Sequence, residues 1–473
     1  MTRLANIATK PSIHLQRDLW IKSNKFMPPN RKKKFLLISA IAVICTLRFA
    51  FFYDAYLDNP NLIVDPDTKS YLDISKNFYE TGQYERIPGK PEIHRPPGYP
   101  LYLALNYALF GQDNLLAPVI LHHVLFFFMM LMVARLARQV GGTAAMMMAT
   151  GLYAFDFTTF YYVNEILSEL LFTFFILLAI TLFNSAVLSI NRQKSWFFLM
   201  GLMLTVAIFV RPVGLYLVYP ITIYIAVIAY FDSEKTSHSA KSAVIFFVPW
   251  LVLGGAWYLY SFSVSGNFTF TSYETEGVFD QRLVAVLKSS LGIDHDTAYT
   301  MVRERLLSAD SQTRAFFVLL CEHPWAAFKE TITDMGRQLL SPSQWYLKFY
   351  FPTVFENQVP MEKFIFTGNF AELASQLEKR PAPYFPIVLF VFVHLVVVYL
   401  GVLLSVFGIR RLSFENLALY MVMILFIGYF VGITIGFIGH SRFRVPFMPA
   451  LVILSGYGFS LLFSRNKSKM DWE

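Results

Sequence analysis

Cysteine is almost absent from this chain. Two occur, Cys45 inside an apolar run and Cys321 in a late hydrophilic stretch. Their settings do not suit one another, so no disulfide framework is indicated, and no Cys/His spacing reads as a zinc site. Charge is also scarce, at 15% of residues against about 25% in soluble globular proteins. No internal repeat and no low-complexity tract is visible. Apolar residues fill the space instead: 55% of the chain is hydrophobic, with 48 phenylalanines and a mean hydropathy of +0.47. Several apolar runs of about 20 residues identify an all-α polytopic membrane protein. The net charge of +8 does not point to nucleic acid, because the basic residues sit in short clusters beside apolar runs, the positive-inside pattern.

The N-terminal stretch ending in "NRKKK", residues 1–34, is long, polar and basic. The apolar run after it has no cleavage site and reads as a signal anchor, with the N-terminus in the cytoplasm. The first span, Lys34–Phe52, leads to an outer loop, residues 53–97. Tyr99–Phe110 is too short to cross and is expected to lie at the outer interface. Leu115–Ala134 returns to Arg135 and Arg138, Thr143–Tyr161 goes out, and Glu165–Ile190 comes back to Arg192 and Lys194. Trp196–Phe231 would be about 54 Å long as one helix, against about 30 Å of hydrocarbon. It is expected to turn near Arg211-Pro212, on the outer side. Ser242–Val264 completes a transmembrane module over residues 35–264. Residues 265–383 are hydrophilic with helical periodicity and read as a small extracytoplasmic helical domain. "NFT" at Asn267 fits a glycosylation acceptor there. Tyr384–Phe407, Leu417–Gly439 and Phe447–Phe463 finish the bundle within residues 384–463, and 464–473 form a cytoplasmic tail. The reading gives roughly ten or more spans with outer-face juxtamembrane helices.

On this topology Arg95, Arg211, Arg442 and Arg444 all fall on the outer side, where positive charge is disfavoured. Three precede proline at the start of an apolar helix, in "RPP", "RPVG" and "RVP". A helix start presents unbonded N–H groups, and arginine adds a permanently charged planar fork, so the recurring pattern suits a phosphate. Arg48, near the outer end of the first span, either joins them or snorkels to headgroups. On the same face Asp67 stands before a helix from about Thr68 to Tyr79 and suits either an N-cap or a base. Glu165 and Glu169 lie one turn apart at the outer end of the fourth span, and a carboxylate inside an apolar run is costly. His94 and His440 flank two of the arginines as further substrate contacts, with Tyr71 and Glu165. His122-His123 fit internal partners better.

The segments "DTKSYLDISKNFYETGQY", "HRPPGYPLYLALNYALFG", "ILSELLF", "RPVGLYL" and "RFRVPFMP", in this order, resemble the bacterial GT-C membrane glycosyltransferases, relatives of the protein O-mannosyltransferases and the lipid A aminoarabinose transferase. "CEHPWAAF" resembles a recurring feature of their outer segment. The resemblance implies that Asp67, before Tyr71 in an Asp-x-x-x-Tyr pattern, matches the first-loop catalytic aspartate. It implies that Arg95 matches a donor-phosphate contact that is lysine in the aminoarabinose enzymes, and Glu169 an acidic residue of the fourth span. Thr68 stands where the family often has glutamate.

The expected activity is therefore an inverting glycosyltransfer from a polyprenyl-phosphate-linked sugar to a hydroxyl acceptor (glycan, lipid or protein) at the outer face of the cell inner membrane. Asp67 and Glu169 are the expected catalytic residues, and Arg95, Arg211, Arg442 and Arg444 the phosphate ligands. No cofactor is called for, and the departure at Thr68 leaves a divalent metal open. The alternative is a transporter or flippase for an anionic lipid-linked substrate. Such proteins usually bind at the bilayer midplane between repeated halves, whereas here the unusual charges gather at one face.

Overall fold

The computed structural model describes residues 31–189, 193–233, 236–271, 278–309, 312–355, 369–434 and 440–470. The basic segment expected at residues 1–30 and the last three residues of the tail lie outside the described residues.

The chain is almost entirely helical. Helix α1 (Arg31–Asp58) leads through a 3-10 turn (Pro60–Ile63) to α2 (Thr68–Thr81), a two-stranded antiparallel ribbon (β1 Glu85–Ile87, β2 Lys90–Pro91) and α3 (Gly98–Phe110). Next come α4 (Leu116–Ala154), α5 (Phe157–Val163), α6 (Ser168–Leu188) and α7 (Gln193–Val210). After a 3-10 turn at Pro212–Leu217 follow α8 (Val218–Ser233), α9 (Thr236–Pro249), a π turn at Trp250–Gly254 and α10 (Gly255–Ser265).

Among the described residues nine helices are long and apolar enough to cross a membrane. These described helices make ten passages, because α4 is a hairpin of two. Gly142 has φ 73° and ψ −160°, a conformation open essentially to glycine alone. The helix folds back there, so that Phe126 and Tyr153 stack at 5.3 Å; in a straight helix they would stand about 40 Å apart. Gln139, just before the break, exchanges hydrogen bonds with Asn184 at 2.6 and 2.7 Å and donates to Asn416 at 3.3 Å, tying this end of the bundle together.

Several boundaries move from the expected ones. The second limb of α4 ends at Ala154, not Tyr161, because the Asp156 carboxylate accepts from Thr159 N at 2.7 Å and caps a new helix, α5. Residues 164–167 are irregular, so α6 begins at Ser168. The last span is preceded by a 3-10 turn, Ser441–Phe447.

Residues 278–355 carry α11 (Val278–Leu291), α12 (His295–Leu307), α13 (Gln312–Glu322), α14 (Pro324–Leu340), α15 (Gln344–Tyr350) and α16 (Pro352–Phe355). The first helices close over their own core, including Leu283, Leu287, Val302 and Leu319. A buried Arg282–Asp334 ion pair at 2.9 Å ties α11 to α14. After α17 (Phe370–Glu378), the chain re-enters the bundle as α18 (Tyr384–Val406), α19 (Phe414–Thr434) and α20 (Met448–Met470).

Candidate active site

The helix ends opposite Gln139 converge on one polar ring. It begins at Asp67, which occupies the N-cap position of α2 but makes no side-chain capping bond. In the first turn Thr68 N donates to Asp65 O at 2.9 Å and Ser70 N to Asp67 O at 3.2 Å, while Thr68 Oγ1 accepts from Asp65 N at 3.0 Å and donates to Ile166 O at 3.1 Å. The Asp67 carboxylate turns to two arginines: Oδ1 lies 3.3 Å from Arg95 Nη2, and Oδ2 lies 2.9 Å from Arg442 Nη1. Capping therefore does not account for this aspartate.

Arg95 is held from several sides. Buried Glu92 accepts from the backbone N–H groups of His94 and Arg95. Tyr84 donates to Arg95 O at 2.6 Å, and Thr271 donates to His94 O at 2.7 Å. The guanidinium lies 4.2 Å over the Tyr71 ring, and its Nη1 donates to the Tyr71 hydroxyl at 2.8 Å. Gly98 explains the glycine of Arg-Pro-Pro-Gly. A Cβ there would stand 2.6 Å from the backbone of Phe209 and Val210. Without one, α3 butts against the end of α7, next to Arg211.

The ring continues through Tyr71 to Ser168, 3.1 Å between hydroxyl oxygens. Arg211 Nη1 donates to Ser168 Oγ at 3.2 Å and to Glu169 Oε1. Arg442 Nε donates to the same Glu169 oxygen, and its Nη1 returns to Asp67. Three guanidinium groups thus face two carboxylates, leaving a surplus of one positive charge. Glu169, fully buried in α6, is tolerated there because it bonds two cations.

Burial pushes the Asp67 carboxyl up, but Arg442, Arg95 and Arg211 outweigh it and hold the group below the usual range. Asp65, two residues earlier, behaves oppositely. Burial raises it above the usual range, although Asp67 N–H and Arg442 favour its charged form. Burial and neighbouring arginines push both His94 and His440 down to about 4, so both imidazoles are neutral near pH 7.

The structure brings together Asp67, Tyr71, Arg95, Glu169, Arg211 and Arg442. It does not bring Arg444. That side chain is fully buried, and its guanidinium donates to Gln338 O at 3.1 Å, Leu339 O at 3.0 Å, Ser341 O at 3.2 Å and Thr158 Oγ1 at 2.7 Å. It satisfies the C-terminal carbonyls of α14 and has no face turned to the ring, which corrects its expected role as a phosphate ligand. Arg48 stays apart too, donating to Ala154 O and lying 4.4 Å over the Phe126 ring. Glu165 is buried beside Tyr161, outside the ring. His440 accepts from Arg442 N at 3.1 Å and lies 3.2 Å from the Tyr346 hydroxyl, so it shapes the turn carrying Arg442. His123 meets Asn164 at 2.9 Å, the internal partner expected of it.

Sequence reasoning missed Ser168, which links the two halves of the ring, and the wall of Tyr162 and Tyr346, whose hydroxyls meet beneath Arg442. Ser168 adjoins Glu169 and could have been suspected. Tyr346 lies in a stretch without a readable motif. Among the described residues no three of His, Cys, Asp and Glu come together as a metal cage.

Residues 94–253 match the family described as dolichyl-phosphate-mannose-protein mannosyltransferase. No curated protein sequence matches the chain. Among solved structures, the archaeal oligosaccharyltransferase AglB from Archaeoglobus fulgidus, in complex with an inhibitory peptide and a dolichol-phosphate, superposes with a TM-score of 0.53 at 13% identity, over 93% of this chain and 52% of that one. ArnT from Cupriavidus metallidurans bound to undecaprenyl phosphate gives 0.40 at 14% identity, over 89% of this chain and 78% of that one. The chain spans about half the length of the archaeal enzyme. The chain thus shares its fold with the archaeal oligosaccharyltransferase, and the stretch carrying Arg95, Glu169 and Arg211 lies within the residues that match the mannosyltransferase family.

Proposed function

We propose that the chain is an inverting glycosyltransferase that moves a sugar from a polyprenyl-phosphate donor to a hydroxyl acceptor at the outer face of a cell membrane, with both termini in the cytoplasm. The observation that carries this reading is the ring in which Arg95, Arg211 and Arg442 surround Asp67 and Glu169 at one end of the bundle. The basic clusters at Arg135, Arg138, Arg410 and Arg411 lie at the other end, which supports the assignment of sides.

With no donor present, Asp67 is neutralised by two guanidinium groups and is a weak base. A donor phosphate offers better acceptors to Arg95 and Arg442. As they turn to it, the Asp67 carboxylate is released beside the anomeric carbon. The acceptor hydroxyl attacks that carbon, and its proton passes to Asp67. The carbon–oxygen bond to phosphate breaks, its electron pair stays on the phosphate, and the anomeric configuration inverts. Most of the acceleration comes from the fixed positive groups facing the departing phosphate. Glu169 keeps Arg211 and Arg442 in place, and Tyr71 fixes the plane of Arg95. The residues require no metal for these steps.

The test is transfer of labelled sugar from a synthetic polyprenyl-phosphate sugar in membranes. Asp67→Asn should abolish transfer and keep donor binding. Undiminished transfer by that variant would remove Asp67 as the base, and donor moved across the bilayer without any glycosidic product would favour a carrier.

A further inference from the structure

Away from the ring, one face of α1 changes character along its length. Leu47 and Phe51 are apolar, and Asp54 and Asp58 continue the same stripe at intervals of three and four residues. The apolar part faces a furrow between α1, the turn at the end of α4 and α18. A cavity of about 510 Å³ there is lined by Leu47, Phe51, Phe155, Phe160, Ile387 and Phe390. It adjoins a second apolar cavity of about 440 Å³ running down α18 to Val397, with Phe155, Pro386 and Phe390 common to both walls. Upward it meets a third, of about 480 Å³, sharing Phe51 and lined by Asp54, Asp58, Asn59 and, from α15, Lys348. The two lower cavities are bounded by helices long and apolar enough to span. The upper one lies beyond the apolar part of α1.

An occupant of this furrow must be apolar below and carry both charge signs above, with positive charge toward α1 and negative toward α15. We infer that the furrow binds a bilayer phospholipid with an amine headgroup, of the phosphatidylethanolamine type. Its chain lies along Phe51, Phe155 and Phe390, its ammonium on Asp54 and Asp58, and its phosphate on Lys348. Arg48 borders the middle of the furrow, but its guanidinium is turned to Ala154 O and the rings of Phe126 and Phe160. The charge pattern separates this ligand from its neighbours in the bilayer. Phosphatidylglycerol would meet two carboxylates with no cation of its own, and the methylated ammonium of phosphatidylcholine cannot donate hydrogen bonds to them. The inference does not rest on the proposed glycosyl transfer.

The full chain, purified into nanodiscs of equal parts phosphatidylethanolamine, phosphatidylglycerol and phosphatidylcholine, tests it by native mass spectrometry of the lipid retained on gentle release. The expected result is one retained phosphatidylethanolamine, favoured about fivefold over either competitor, as two partly exposed ion pairs allow. Asp54→Asn with Asp58→Asn should erase the preference. Val391→Trp, which fills the lower furrow and leaves both carboxylates, should lower retention of all three lipids. Equal retention of the three by the wild type, a preference for phosphatidylglycerol, or an unchanged preference in the double variant would each overturn the inference.

Discussion

Arg442 and Arg444 stand two residues apart in "RFRVP", yet the structure gives them separate tasks. Replacing each by glutamine distinguishes these tasks. Arg442→Gln leaves Glu169 with Arg211 and Asp67 with Arg95, so neither carboxylate is stranded. The stability cost should stay near the about 1.5–3 kcal/mol of a charged hydrogen bond, below the about 3–5 kcal/mol of an orphaned buried partner. Transfer should fall far more, because a fixed cation facing the leaving phosphate is lost. Removal of one such donor typically costs about 10²–10³ in turnover, or about 2.7–4 kcal/mol. Arg444→Gln reverses the balance. Three backbone carbonyls and Thr158 lose their donor in a fully buried site, and an unfolding cost of about 3–5 kcal/mol is expected. Below its melting range that variant should keep donor affinity within about threefold. Thermal unfolding in detergent and single-turnover transfer from labelled donor, run on both proteins, read the two effects. The reasoning fails if Arg444→Gln loses donor affinity while melting like the wild type, or if Arg442→Gln turns over within about tenfold of it.

Other outcomes follow from the same geometry. Asp67→Asn should bind donor at least as tightly as the wild type, because the phosphate no longer competes with a carboxylate for Arg95 and Arg442; equilibrium binding of polyprenyl phosphate measures this. Asp67 stays ionised as pH falls because its guanidinium neighbours hold it below the usual range. Removing Arg95 raises the group, so Arg95→Gln should move the acid limb of the pH–rate profile upward. His94 and His440, pushed down to about 4, should contribute no titration between about pH 5 and 8; a limb in that window that vanishes in His440→Gln would contradict this. Gly98→Val touches no ring residue, yet its side chain would meet the backbone at the end of α7. It should lower turnover at least about tenfold by moving Arg95 away from Arg211, since a misplacement of about 1 Å can cost about 10²-fold.

Much of the fold was legible because hydropathy and basic clusters act over whole helices, and a shift of a few residues leaves the crossing count unchanged. The turn at Arg211 follows from length alone, and the reversal between Ala134 and Thr143 from the basic pair Arg135 and Arg138. The ring was legible in part, since arginine beside a proline at the start of an apolar helix and glutamate inside an apolar run each need a reason. Arg444 shows where that logic ends. Its sequence context matches that of Arg95 and Arg211, and only the arrival of the α14 carbonyls from a distant segment decides its role. Asp67 could be read as a cap or as a base, and the choice depended on where its oxygens point, which spacing does not encode. Ser168 and Tyr346 draw their meaning from partners far along the chain; a place beside Glu169 is the local hint for Ser168, and Tyr346 has none.

The ring is closed by Arg442, a residue far along the chain from the carboxylates it joins. Until the segment at His440–Arg444 is inserted, Asp67 can pair only with Arg95, and Glu169, already embedded in α6, only with Arg211. A nascent chain that has not yet inserted this segment would therefore offer an anion two cations instead of three, and α14 would lack the guanidinium that anchors it. Truncation before His440 should therefore leave the ring open and α14 unanchored together, so that the site and the helix beside it mature in one step when this segment inserts.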